Sequence, residues 1–408
     1  MLRLLGRIGS AEAYALRDFL YRSSVPFHWI ELKRVGRTQK HESLSDDRLP
    51  LCVFPDGTRL ERATVEQLCA KLGWLQGPSS AEYDLAILGA GPAGLSAAVY
   101  GASEGLKTLV IERSAVGGQA GTSSRIENYL GFPQGVAGAE LASRAREQAL
   151  RFGAEILLLR EGVRAEFANG AGIGYLADGT RIRMRSSICA SGVEYQRLNL
   201  WNEDRLRGAG VYYGAGSSEA GLCAHEDVYI VGGGNSAGQA AMHFSSRARK
   251  VTLLIRGSGL KHTLSQYLVD RILAAPNVVV CPHTDVAALH GDCTLEAITV
   301  RNNETGEERL VETRWLFLCL GGSPNTEWAR AAGVQLDEQN YMVTGPELKH
   351  YRPQDSWPLS REPFYLETST PGLFAAGDVR HGSVKRCASA VGEGAMAVTF
   401  AHRHLAGR

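Results

Sequence analysis

The residues of this 408-residue chain that are best spaced for chemistry are glycines. Gly89-Ala90-Gly91-Pro92-Ala93-Gly94 has the pattern G-x-G-x-x-G and follows directly on Tyr83-Asp84-Leu85-Ala86-Ile87-Leu88, an apolar run that reads as a strand. A helical run, Leu95–Glu104, comes next. In that setting Gly89 permits a tight turn, Gly91 lets a pyrophosphate approach bare backbone, and Gly94 lets helix and strand pack closely. Pro92 and Ala93 lie at the mouth of the helix, whose N-terminus supplies N–H donors and a partial positive charge. The next strand, Thr108-Leu109-Val110-Ile111, ends in Glu112, a carboxylate that can accept hydrogen bonds from a ribose and would repel a 2′-phosphate. Strand, turn, helix and acid together predict a dinucleotide site. The competing reading is a glycine-rich turn without a ligand.

A second cluster repeats the arrangement. Asp227-Val228-Tyr229-Ile230-Val231 reads as a strand that runs into Gly232-Gly233-Gly234-Asn235-Ser236-Ala237, then a helical stretch to about Ser246. Gly232, Gly234 and Ala237 give the G-x-G-x-x-A variant, with Asn235 and Ser236 at the helix mouth. The following strand, Lys250–Ile255, ends in Arg256 instead of an acid, and Lys261 lies close behind. Cations there can pair with a 2′-phosphate, which favours NADPH over NADH. Alternatively, Arg256 and Lys261 are a solvated pair near a helix end. Two such clusters in one chain are far more specific than either alone.

Further motifs tie the first cluster to a flavin. Val116-Gly117-Gly118-Gln119 and Ile126-Glu127-Asn128-Tyr129-Leu130-Gly131-Phe132-Pro133 follow it, and Leu373-Phe374-Ala375-Ala376-Gly377-Asp378-Val379 stands near the end of the chain. From Tyr83 to its C-terminus the chain resembles the low-molecular-weight thioredoxin reductase family of FAD flavoproteins. The resemblance implies that Gly118, Gln119 and Asn128 surround the isoalloxazine and that Gly377 and Asp378 meet the ribityl chain. It implies that Lys385-Arg386-Cys387-Ala388 opens a helix whose positive end points at the flavin N1/C2=O edge, favouring negative charge on the reduced ring. Arg386, where the family often has Gln, either strengthens that effect or points into solvent. The family's H-R-R-x-x-x-R at the second site is reduced here to Arg256, Gly257 and Lys261. The same resemblance implies an FAD domain in two pieces with the NADPH domain inserted between them, crossings near Ile188–Gly192 and Leu318–Gly322, a homodimer, and rotation of the NADPH domain.

One departure from the family is chemical. Its members carry C-x-x-C shortly before the second glycine cluster, and here that place is held by Ala215-Gly216-Ser217-Ser218, followed by Glu219 where the family has Asp. The eight cysteines are Cys52, Cys69, Cys189, Cys223, Cys281, Cys293, Cys319 and Cys387, and no two have C-x-x-C or zinc-site spacing. They read as free, mostly buried thiols, Cys223 and Cys387 included, and no metal site is expected. Without a dithiol, electrons must pass to another acceptor: a small molecule such as a quinone, dye or metal chelate, a protein such as ferredoxin, dioxygen, or a partner of the chain's N-terminal part; the ferredoxin–NADP reductases of this type also lack the cysteine pair. Glu219 is either a proton donor near the flavin or an exposed loop carboxylate. Two other readings stay open: a redox-sensing or docking flavoprotein, and a thiol enzyme whose cysteines come from a partner.

These residues need elements to position them. Hydrophobic content of 44%, 21% charged residues and a net charge of +1 describe an ordinary globular chain with no electrostatic case for nucleic-acid or membrane binding. No apolar run approaches the roughly 20 residues a bilayer span needs, and Met1–Arg7 does not read as a signal peptide, so a cytoplasmic location is expected. The fold class expected is α/β: two Rossmann-like domains plus a small N-terminal α/β domain. The turn-rich Gly77-Pro78-Ser79-Ser80-Ala81 separates that domain. Within it, Leu2–Ile8, Phe27–Leu32, Leu49–Phe54 and Arg59-Leu60 read as strands, Ala11–Tyr21 (Ser10 as N-cap) and Thr64–Leu72 as helices, and Arg34–Asp47 as a polar loop. The order resembles the thioredoxin/glutaredoxin fold, with Pro50 where that family has a cis-proline. Gly9-Ser10-Ala11-Glu12 lacks its reactive cysteine, so the module binds or docks, or else is a small cap that stabilises a dimer. The expected plan is thus residues 1–77 for this module, 82–193 and 317–408 for FAD, and 194–316 for NADPH.

Overall fold

In the computed structural model, which describes residues 1–32, 46–168, 170–214, 216–261, 264–351 and 357–407, β1 (Leu2–Gly6) leads through α1 (Ala11–Arg22) to β2 (Phe27–Glu31). The Ser10 hydroxyl accepts the Ala13 amide at 3.1 Å, as its N-cap position predicts. β3 (Leu51–Val53), β4 (Arg59–Leu60) and α2 (Val65–Lys71) follow, with Thr64 and Gln67 closing a capping box on α2. The sheet order is β2-β1-β3-β4, with β1 parallel to β2 and antiparallel to β3. The Leu49–Pro50 peptide is cis. Strands 1 and 3 are shorter than their apolar runs, and most of the expected loop Arg34–Asp47 lies outside the described residues.

The chain then forms β5 (Glu82–Leu88), α3 (Pro92–Ser103), β6 (Thr108–Glu112), α4 (Gly138–Arg151), β7 (Glu155–Leu158), β8 (Gly162–Ala168), β9 (Ala171–Leu176), β10 (Arg181–Cys189) and β11 (Val193–Tyr195). α3 starts at Pro92, three residues before the expected Leu95, because proline at the first helical position loses no hydrogen bond there. Next come α5 (Glu203–Leu206), β12 (Val211–Tyr213), β13 (Asp227–Val231), α6 (Asn235–Ser245), β14 (Lys250–Leu254), α7 (Gln266–Ala274), β15 (Val278–Cys281), β16 (Thr284–His290), β17 (Ala297–Asn302), β18 (Glu308–Glu312) and β19 (Leu316–Leu318). β20 (Gly322–Pro324), α8 (Glu327–Ala331), β21 (Leu373–Ala375) and α9 (Cys387–Ala406) complete the chain.

Contacts divide these elements into two units. One holds residues 1–72, 122–125 and 195–321, so the N-terminal module belongs with the second glycine cluster. It contains the first sheet, a five-stranded parallel sheet ordered β12-β19-β13-β14-β15, and the antiparallel sheet β16-β17-β18. The other holds residues 73–121, 126–194 and 322–408, with the sheet β7-β6-β5-β10-β9-β8. There β10 serves two neighbours along one edge: Arg181–Met184 pair antiparallel with β9, and Ser187–Cys189 parallel with β21.

α3 is buried on nearly all sides and rich in small residues, which lets α9 come very close. A Cβ at Gly394 of α9 would lie 2.1 Å from the Ala93 carbonyl oxygen, and the Ser96 hydroxyl donates to the Val391 carbonyl at 2.7 Å. Among the described residues no helix is long and apolar enough to cross a membrane. Gly394→Ala forces backbone against backbone and is expected to cost about 1–3 kcal/mol, the usual range for overpacking. A lowered urea midpoint of the full-length protein would show it.

Candidate functional site

The first glycine turn sits at the C-terminal end of β5. Gly89 has φ +102°, and a Cβ there would meet the Ala190 carbonyl oxygen at 2.5 Å; a Cβ at Gly94 would meet the Gly89 oxygen at 1.9 Å. These two glycines are required by the protein's own packing. Gly91 differs: a Cβ there touches nothing nearer than Gly118 Cα at 4.0 Å, so the space over it is open. Gly91 is also the N-cap of α3 and offers no side chain to the helix's first amides. An uncapped helix end facing open space suits a diphosphate, so the residues present fit a dinucleotide.

Glu112 is only 8% exposed and braces this turn, accepting the Ala90 amide at 2.7 Å and the Ser114 amide at 2.8 Å. The sequence reading gave it a ribose. Each carboxylate oxygen keeps a further lone pair, so the brace does not exclude that partner. Gly118 lies against Gly91, and the Gln119 side-chain amide donates to the Val193 carbonyl at 2.7 Å. Asn128 is exposed.

The C-terminal motifs converge on the same turn. Gly377 comes so close that a Cβ would be 3.0 Å from Ala93 Cβ. Burial raises the Asp378 carboxyl, with the nearby Lys385 ammonium working against it. Lys385 donates to the Asp378 carbonyl at 3.1 Å and lies over the Tyr341 ring. α9 begins at Cys387, so Lys385 and Arg386 precede the helix instead of opening it. Arg386 is an exposed N-cap whose guanidinium donates to the Lys385 carbonyl at 2.9 Å, and again no side chain caps the helix. Burial pushes the Cys387 thiol up to about 11, so it is no thiolate near neutrality. Sequence reasoning missed Glu393. One of its oxygens accepts the Gly377 amide at 2.7 Å, and Arg380 pairs with it at 2.6 Å, fixing the Gly377–Asp378 turn.

The second turn repeats the first in the other unit. Gly232 has φ +137°, with a Cβ position 2.3 Å from the Cys319 carbonyl oxygen, while nothing lies within 4 Å of a Cβ on Gly234. Asn235 accepts the Ser265 amide at 2.8 Å, tying α6 to α7; Ser236 is exposed and Ala237 buried. Next to it, Gly238 lets α6 pack against the approach to α7, since a Cβ there would lie 2.7 Å from Leu264 Cδ2. Arg256 and Lys261 are both exposed beyond the end of β14.

Ala215 lies outside the described residues, but the rest of its segment is clear. Ser217 donates to the Thr122 carbonyl at 2.6 Å, and Ser218 to the Glu219 carboxylate at 2.6 Å. Glu219 is fully buried and pairs with Arg17 at 3.3 Å, which overturns the reading of an exposed loop carboxylate. Burial pushes its carboxyl up to about 7, against the lowering effect of Arg17. All eight cysteines are free, Cys223 fully buried among them, and among the described residues no group of His, Cys, Asp or Glu could hold a metal ion.

Two such turns, each at the end of a strand that lies between two parallel neighbours, have the geometry of dinucleotide-binding sites. Residues 83–394 match the pyridine nucleotide-disulphide oxidoreductase family. The thioredoxin reductase of Mycolicibacterium smegmatis is 31% identical over 328 residues, 80% of this chain and 98% of that one. That of Streptomyces clavuligerus is 32% identical over 322 residues, 78% and 93% of the two chains. The crystal structure of T. acidophilum thioredoxin reductase superposes with a TM-score of 0.70 at 29% identity, covering 80% of this chain and all 100% of that one. The chain belongs to the pyridine nucleotide-disulphide oxidoreductase family. Within it the chain is thioredoxin reductase-like, an NAD(P)H-dependent flavoprotein enzyme of a group that uses FAD and NADPH.

Glu112→Gln places an amide NH2 against one of two backbone N–H groups. The variant is expected to lose most of its flavin on purification, read as visible absorbance relative to protein; full retention would remove Glu112 from the turn's support.

Proposed function

We propose that this chain is an FAD-dependent NADPH oxidoreductase whose electrons leave to an acceptor other than a dithiol of its own. The observation that carries the proposal is the absence of any C-x-x-C from the sequence, together with the single, buried state of the nearest thiol, Cys223. Serine hydroxyls and an alanine cannot form a disulfide. Bound FAD would supply hydride chemistry, accepting from NADPH and passing electrons to a small molecule or a protein such as ferredoxin. The protein's share is binding and orientation. Gly89, Gly91, Pro92, Ala93 and Gly94 would seat the FAD diphosphate, Glu112 the ribose, and Gly118, Gln119, Asn128, Gly377, Asp378, Lys385, Arg386 and Cys387 the flavin half. Gly232, Gly234, Asn235, Ser236 and Ala237 would seat NADPH, with Arg256 and Lys261 on its 2′-phosphate. Glu219 is the candidate proton donor.

The N-terminal module reads as thioredoxin-like, supported by its strand order and the parallel and antiparallel pairings around β1. Its residues precede Tyr83, where the family match begins. A homodimer is the assembly that the resemblance favours.

Anaerobic rapid mixing tests the reading. NADPH is expected to bleach the flavin band much faster than NADH, and a dithiol trap should find no thioredoxin disulfide reduced. Flavin that stays oxidised with both nucleotides would sink the reductase proposal and favour a sensing role; reduction of thioredoxin would show that cysteines come from elsewhere. Gly234→Val fills open space, so it should weaken NADPH binding at least tenfold by titration while leaving the thermal midpoint near that of the parent.

A further inference from the structure

Helix α1 has one buried apolar face and a second, half-buried one that carries the buried Arg17. Ala13, Leu16, Phe19 and Leu20 are buried apolar side chains, as a helix on its own sheet requires. Tyr14, Arg17, Asp18 and Tyr21 recur at helical spacing as a second stripe, and this stripe meets the segment that leads into the second glycine cluster. Tyr14 packs edge-on to Tyr212 with ring centroids 5.1 Å apart. A Cβ at Gly208 would lie 2.7 Å from Tyr14 Cδ1 and 3.2 Å from Ala11 Cα, so bare backbone lets the helix in. Arg17, 2% exposed, lies over the Trp29 ring and donates to Glu219, while its Nε and Nη1 are buried with no hydrogen-bond partner among the described residues.

We propose, building on the role of Glu219 in the proposed function, that the N-terminal module makes Glu219 a proton carrier: docked α1 shuts the carboxyl away from water, and Arg17 is the positioning residue that limits how tightly it holds its proton. Several groups face Glu219. From α1 come Tyr14, Tyr21, Arg17 and Asp18; Tyr212 comes from β12 and Cys223 from its own segment. Burial raises all three phenols and the thiol, so they stay neutral near neutrality. Asp18, itself raised by burial and offset by Arg22, pushes the Glu219 carboxyl up, and Arg17 pulls it down. Burial raises the carboxyl, Arg17 of α1 is the chief force lowering it with the Ser218 hydroxyl beside it, and Asp18 of α1 adds to the rise. The pair is not explained by stability alone, since burying two charges costs about what their attraction returns.

The linkage has a definite sign. Below the ordinary value of 4.5 the carboxyl is protonated whether α1 is docked or not; between 4.5 and about 7 it is protonated only when buried; above about 7 burial carries the cost of an ionised group. Docking therefore takes up a proton, and the stability this group contributes falls as pH rises through that window.

Infrared difference spectroscopy of full-length holoprotein across the neutral range tests this without turnover. The expected result is a buried-carboxyl band that disappears near pH 7 and is missing from Glu219→Gln. Arg17→Met should move the midpoint upward by about one unit or more, the usual effect of losing a nearby opposite charge, and Arg17→Lys should leave it near the parent value. Hydrogen exchange of α1 amides, corrected for intrinsic rates, should lose protection with rising pH in the parent but not in Glu219→Gln, which keeps the test open if Arg17→Met fails to fold. A carboxyl titrating in the ordinary acidic range, or a midpoint unmoved in Arg17→Met, overturns the inference. Flavin reduction by NADPH alongside such a result would leave the proposed function standing; a neutral titration without flavin reduction would do the reverse.

Discussion

Both halves of the protein depend on one close approach of backbone to backbone. In each unit the strand that carries the glycine turn lies between two parallel neighbours. Gly89 donates to Ile111 in the next strand, and Gly232 donates to Leu254 in the same way. On the other side, the residue just past the third strand donates back: Ala190 to Leu88, and Cys319 to Val231, each at 2.8 Å. That second bond brings the carbonyl of Ala190 or Cys319 directly beneath the glycine, at 2.5 or 2.3 Å from where a Cβ would stand. No other residue type fits. The constraint reaches further than the turn, because Ala190 and Cys319 lie within a few residues of Glu194 and Gly321, where the chain passes from one unit to the other. The ladders that shape each nucleotide turn also fix where the chain leaves each unit.

This explains which features could be read from sequence. The glycine turns are local: strand, turn and helix lie within about 20 residues, and their patterning is plain. Caps were legible for the same reason, as Ser10 shows. Other features join distant residues. Arg17 and Glu219 are 202 positions apart, and nothing in either neighbourhood points to the other. The brace of Glu393 on Gly377 and the bidentate grip of Arg361 on the buried Glu367, at 2.7 and 2.9 Å, are also side-chain matters that follow only from packing. The antiparallel sheet β16-β17-β18 is hard to read from sequence because an outer strand carries weak apolar alternation. β18, with the sequence ERLVE, is exposed along most of its length. The close contact of Gly238 with Leu264 is a detail of α6–α7 packing that the glycine pattern does not encode.

The same distinction separates the two kinds of glycine in each cluster. Gly89, Gly94 and Gly232 answer to the protein's own backbone, so their presence shows only that the fold is built correctly. Gly91 and Gly234 answer to nothing in the protein, since a side chain at either would stand in open space. Each of the two is also the N-cap of its helix, so the bare position leaves the first helical amides open to a ligand. Both turns keep such a position, as a nucleotide diphosphate at each would require.

Ser217, Ser218 and Glu219, before the second turn, carry hydroxyls and a carboxyl where a dithiol enzyme carries thiols. A dithiol moves electrons and protons together. Ser217, Ser218 and Glu219 can move protons only, because neither a hydroxyl nor a carboxyl takes up an electron pair at biological potentials. On the proposed reading the two tasks are therefore separated: electrons leave directly from the flavin edge, and the segment keeps only the handling of charge. That task needs a carboxyl that is neutral part of the time near neutrality, which an exposed glutamate is not. Burial supplies it. Something must cover it, and in this chain the cover is a helix from a module that lies outside the family match. On the proposed reading, the acid that stands where a dithiol enzyme has its thiols depends for its burial on the N-terminal module, whose Arg17 pairs with it.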